Sequence, residues 1–183
     1  MLQITIPGIE LFNEMTREFI NTKDQTLTLE HSLVSISKWE SKWCKPFFSK
    51  EEKTQEETRD YIRCMTITQN VDPNVYYGLT ENNINQVLEY INAPMTATFF
   101  SEDTNRRAKS NGGKVITNEV IYYWMTAYNI PAQYEKWHIN RLLTLIRVCN
   151  EENKPPSKMS KREIMSSNAQ LNAARRQKYK SKG

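Results

Sequence analysis

Catalysis needs side chains that ionise near neutrality, attack as nucleophiles or hold metals, and this chain has few of them. Its two histidines, His31 and His138, stand far apart in sequence. A general base needs a positioned partner; none is identifiable around either ring, so both read as structural or solvated histidines. Cys44, Cys64 and Cys149 are odd in number and widely spaced, which suggests free thiols in a reducing compartment. Cys149 falls on an apolar stripe and reads as a small core residue. No two Cys or His residues have finger-like spacing. Glu51-Glu52 and Glu56-Glu57 each follow a Ser or Thr at capping distance, so a helix start explains them without acid–base or metal chemistry. Asp72-x-Asn74 lacks the Gly and closing Glu of an EF-hand loop. Phosphate-cradling loops, nucleophile elbows and HExxH are missing as well. The expectation is no enzyme, no metal and no cofactor.

Two other groups could work by binding. Trp39 and Trp43 are four apart, and Tyr122, Tyr123, Trp124 and Tyr128 wrap most of one helix, followed by Trp137. Such rings fill a core, or they line a groove that anchors a partner helix. The second group is basic: Lys158, Lys161, Arg162, Arg175, Arg176, Lys178, Lys180 and Lys182. They could meet phosphates, dock on an acidic partner or simply keep a tail soluble. Nucleic acid is the less favoured of these, because Tyr179 alone interleaves the cations.

The elements that must carry these residues follow from pattern. Leu2, Ile4 and Ile6 alternate with polar residues before Pro7-Gly8, and Thr26 to Leu29 alternates likewise, which predicts a strand pair. Ser32 is placed to cap a helix through Leu33, Ile36, Trp39 and Trp43, closed by Pro46. A capping box at Ser49 or Thr54 opens a helix to about Thr66, with Tyr61, Ile62 and Met65 as its apolar side. Asp72-Pro73 marks another start. Thr80 opens a helix through Ile84, Val87, Leu88 and Ile91 that stops before Pro94. Met95 to Phe100 and Lys114 to Ile116 are expected as two strands around a long loop, Ser101 to Gly113. Thr117 caps a helix over Glu119 to Asn129. Pro131 starts one to about Cys149, with Trp137, Leu142, Leu145 and Ile146 among its apolar positions.

These readings give an α+β, predominantly α-helical chain. Small antiparallel strand elements are expected near residues 1–30 and 95–116, followed by a C-terminal basic helical extension. The expected organisation is a compact domain at 1–150, a linker at 151–157 around Pro155-Pro156, and a tail at 158–183. That tail has too little apolar surface to hold itself in place and is expected to be frayed or detached. The chain has 183 residues, enough for one cored domain without staples. Its net charge of +4 hides an asymmetry: residues 1–152 carry 16 basic against 20 acidic side chains, residues 153–183 nine against one. Mean hydropathy is −0.71, and no apolar run approaches the ~18 residues that cross a bilayer. The first ten residues lack the pattern of a secretory signal.

Three stretches carry a family likeness. They are LEHSLVSISKWESKWCKPFF (29–48), VIYYWMTAYNIPAQYEKWHINRLLTLIRVCN (120–150), and PPSKMSKREI with NAARR (155–164 and 172–176). Over most of residues 26–183 the chain resembles the tail assembly chaperones of long-tailed, siphovirus-type bacteriophages. The resemblance implies a non-enzymatic protein. Such a protein binds the long helical tape measure protein, keeps it soluble and helps tail tube protein polymerise around it. It would act in the bacterial host cytoplasm and leave before the virion matures. Further copies of the chain are admitted as partners; a membrane is not. The alternatives are a nucleic-acid-binding protein acting through the basic segment, and a structural virion component such as a head–tail connector.

Overall fold

The structure is a computed structural model that describes residues 1–13, 17–100, 115–153, 165–166, 168–172 and 175–176. Strand β1 (Leu2–Ile6) pairs antiparallel with β4 (Gln25–Leu29), Ile4 opposite Leu27. Period-two alternation puts Ile4, Ile6, Leu27 and Leu29 on one buried face. Between them a second antiparallel pair forms from β2 (Glu10–Asn13) and β3 (Glu18–Asn21). Gly8 sits at its base, where a Cβ would lie 2.4 Å from the Thr22 carbonyl oxygen; only glycine allows that approach.

Three helices begin with reciprocal caps. In α1 (Leu33–Trp43), Ser32 and Ser35 cap each other; in α2 (Gln55–Met65) Thr54 and Glu57 do so. In α3 (Glu81–Asn92) the pair is Thr80 and Asn83. Each box satisfies two amide donors that a helix start leaves open. Helix α1 closes at Cys44, in the left-handed region at φ 52°, whose N–H donates to the Glu40 carbonyl at 2.8 Å. Past α2 the chain runs beside β4, with Ile67 N–H donating to the Thr28 carbonyl at 2.8 Å. A short 3-10 helix, η1 (Pro73–Gly78), starts on the Asp72 side chain. Its closing Gly78 lies where a Cβ would come within 2.9 Å of the Pro7 carbonyl oxygen, so η1 packs directly on the end of β1.

Helix α4 (Asn118–Ala127), a second 3-10 helix η2 (Ala132–Lys136) and α5 (Ile139–Glu152) complete the described elements. Leu33, Ile36, Trp39, Tyr61, Ile62, Met65, Ile121, Met125, Ile139 and Leu142 join the sheet residues in one core. The chain divides into two units, Met1–Cys149 and Asn150–Gly183. In the second, the described positions past 160 are helical and exposed.

The fold is mixed and mainly helical, with two small antiparallel sheets. Four expectations need correction in detail. The second sheet is the 10–21 hairpin rather than a pair at 95–116: residues 95–100 and 115–116 are not strands, and 101–114 lie outside the described residues. The helix expected from Pro131 to Cys149 is two pieces, interrupted at the extended residue Trp137. Helix α5 runs on to Glu152, into the expected linker, of which 154–157 lie outside the described residues. Helix α4 ends at Ala127, short of Asn129.

Candidate docking surface and a buried histidine pair

The two tryptophans of α1 serve the interior. Trp39 is 1% exposed, its indole N–H donates to the Glu57 carbonyl at 2.9 Å, and its ring meets Phe47 edge-on at 5.4 Å. It cannot anchor a partner from there, which corrects the binding role expected of it. Trp43 is half-buried and donates to Asp60 Oδ2 at 2.9 Å. Lys42 reaches the other Asp60 oxygen at 2.7 Å, joined by Arg63 at 2.8 Å. Burial opposes ionisation of Asp60, but the bonds from Lys42 and Trp43 and the Arg63 charge outweigh it and hold the carboxyl below its usual range. These contacts lock α1 to α2.

The aromatic residues further on face outward in part. In α4, Ile121 and Met125 point into the core; Tyr122, Trp124 and Tyr128 are half-buried, and Tyr123 is 69% exposed. Tyr122 donates its hydroxyl to Glu135 Oε2 at 2.9 Å, tying α4 to η2. Burial, with the adjacent carboxylate, pushes that hydroxyl up to about 12. The break at Trp137 lets its ring stack on Tyr134, centroids 4.0 Å apart and 15° from parallel. The Arg141 guanidinium lies 4.0 Å from the Trp137 ring. Guanidinium, indole and phenol thus form a ladder, stabilised by cation–π and stacking contacts. Tyr134 and Arg141 were not singled out in the sequence, although their i, i+3, i+7 spacing with Trp137 was there to be read.

A buried acid positions this surface. Thr117 precedes α4 but makes no side-chain cap. In its place Glu40 of α1, 7% exposed, accepts from Asn118 N at 2.8 Å and from Asn118 Nδ2 at 2.6 Å. Its other oxygen accepts from Phe47 N at 2.6 Å. A carboxylate at a helix N-terminus also meets the positive end of the dipole.

His31 and His138, distant in sequence, are brought together. An isolated antiparallel bridge joins Ser32 to His138, and Ile139 N–H donates to the His31 carbonyl at 2.7 Å. The rings meet edge-on with centroids 5.1 Å apart, both buried. His31 Nδ1 bonds the Tyr61 hydroxyl. His138 Nε2 faces the Tyr90 carbonyl at 3.0 Å and its Nδ1 faces the Asn140 N–H at 3.3 Å. That pattern assigns the Nε2–H tautomer to a neutral ring. Burial, and secondarily the His138 charge, lowers His31 to about 3. Burial also lowers His138, against the Tyr90 carbonyl and Glu30, which pull the other way. Tyr61 is raised well above its ordinary value by burial. Neutral, buried rings of this kind stabilise packing.

Among the described residues no group of three His, Cys, Asp or Glu is placed to hold a metal ion. No helix among them is long and apolar enough to cross a membrane. Burial raises the Cys64 thiol, the reverse of nucleophile activation. Of the basic tail residues, Arg175 and Arg176 are helical and exposed. Lys158, Lys161, Arg162 and Lys178 lie outside the described residues. Comparison with family models, with curated proteins and with solved structures gave no match to this chain.

Proposed function

We propose that the chain is a bacteriophage tail assembly chaperone. On this reading it grips the tape measure protein, a long helical client, assists tail tube polymerisation, and makes or breaks no covalent bond. The observation that carries the proposal is the ring surface of α4 and η2. Tyr123 projects into solvent, Tyr122 and Trp124 beside it in α4 are half-buried, and so are the stacked Tyr134 and Trp137 of the neighbouring η2 segment. Tyrosine and tryptophan give large contact area at low cost in side-chain freedom, so they serve as anchors for an apolar helix face. Glu135 holds the Tyr122 hydroxyl and Glu40 holds the start of the helix that carries these rings, so binding orders little that is not already ordered. The likeness of residues 29–48 and 120–150 to that family points the same way. The working location would be the host cytoplasm.

Co-expression with the tape measure protein of the same phage tests this. The expected result is a co-purifying complex and a larger soluble fraction of the client. No complex and no gain in solubility would overturn it. Recovery of the chain in washed, mature particles would instead assign a structural virion component. Steeply salt-dependent binding to DNA or RNA that needs residues beyond Asn153, with no grip on the client, would assign the nucleic-acid reading.

A further inference from the structure

A second surface, sharing no residue with the aromatic one, lies between α2, η1 and the start of α3. It is a cleft of about 370 Å³, in the range of sites that enclose small ligands or side chains. One face of α2 supplies Gln55, Thr58, Arg59 and Ile62, spaced i, i+3, i+4 and i+7. Half-buried Leu79 and Ile84 and exposed Tyr77 bring apolar surface, over a floor formed by the buried Ile62 and Tyr76. Two cations line it, Lys53 and Arg59, against one acid, Glu81.

Arg59 is set to receive an anion, and Lys53 adds a second positive charge. The Arg59 guanidinium lies 4.7 Å from the Tyr77 ring; a stacked guanidinium keeps its N–H edges for a carboxylate fork. Lys53 donates to the Phe47 carbonyl at 2.8 Å and lies 4.3 Å from the Phe47 ring. Burial holds its ammonium below the usual lysine range, a state that an added carboxylate relieves. Glu57, the carboxylate acting on it, is bonded to Lys45 at 2.6 Å. Neither Lys53 nor Arg59 has an ion pair among the described residues.

We propose that this cleft captures an acidic, apolar-anchored segment of a partner polypeptide, its apolar side chain against Leu79 and Ile84 and its carboxylate against Arg59, with the Lys53 charge adding to the attraction. Charge complementarity argues for that occupant. A nucleic-acid strand would want a row of cations, and the cleft gives two beside a greasy surface and a glutamate. The proposal goes beyond the chaperone reading and does not need it.

The probe is a short, end-blocked amphipathic peptide of leucine and glutamate, titrated into the full chain. Backbone amide shifts of Ile62, Tyr77, Leu79 and Ile84 should move, and binding should weaken with added salt. Arg59→Gln, with an unchanged unfolding midpoint, should weaken binding roughly tenfold. The same peptide with glutamine for glutamate should lose about as much on the unsubstituted chain, a readout that needs no variant to fold. Shifts confined to other surfaces, or equal binding of the glutamine peptide, would overturn the proposal. So would tighter binding of an oligonucleotide at these amides, or N-acetyl-leucine binding as well as the peptide.

Discussion

At the scale of single residues, the buried histidines make stability depend on acid. His31 falls from the ordinary 6.5 to about 3 on folding, so between those values the unfolded chain binds the extra proton. Its contribution is whole above pH 6.5 and is lost as pH drops through that window. Between pH 7 and pH 5 the loss is about 2 kcal/mol. Protonating His138 adds to it, because Nδ1 would then point a proton at the Asn140 N–H. Unfolding midpoints measured across this range should fall toward acid, and His31→Gln should flatten the slope while lowering the plateau. Tyr123 behaves oppositely. Being 69% exposed, its replacement by alanine should leave stability within about 0.5 kcal/mol. If Tyr123 is an anchor, client affinity should drop by about 2 kcal/mol; calorimetry alongside a pull-down separates the two effects.

At the scale of elements, α4 depends on α1. Glu40→Ala would leave three donors, on Phe47 and Asn118, without their acceptor, and should cost about 3 kcal/mol. Denaturant unfolding reads that cost. Glu40→Gln should cost less, since one amide oxygen still accepts. Elements with local signals were legible beforehand: the caps at Ser32, Thr54 and Thr80, the Asp72-Pro73 start, and the alternation of β1 and β4. Elements fixed by distant partners were not. The 10–21 hairpin offers no glycine at its turn; Arg17 takes the positive φ of 54° instead, so no turn signal marked it. Residues 95–100 are rich in strand formers, yet Met95 turns to φ 51° and the segment pairs with no strand among the described residues; β propensity alone forms no sheet. The interruption at Trp137 follows from the Ser32–His138 bridge, invisible in a local window. The rings could be counted in the sequence, but which of them faced inward could not: Tyr61 is buried and Tyr123 exposed, the same residue type with different packing partners.

At the scale of the whole molecule, charge and core are separated along the chain. The core residues lie within Met1–Cys149, whereas residues 153–183 carry nine basic side chains and one acidic. A chain ending at Asn153 should therefore keep its unfolding midpoint within a few degrees while losing most retention on a polyanion column, and the salt concentration of elution measures that loss. The Glu40 clasp also sets an order of events. Its two ends lie 78 positions apart. As the polypeptide leaves the ribosome, α1 and α2 emerge well before Asn118 does. Until then the Glu40 oxygen that Asn118 will use has no helix start to meet. The side of α1 that α4 will cover therefore remains open through much of synthesis, and the ring surface can exist only once translation has passed α4.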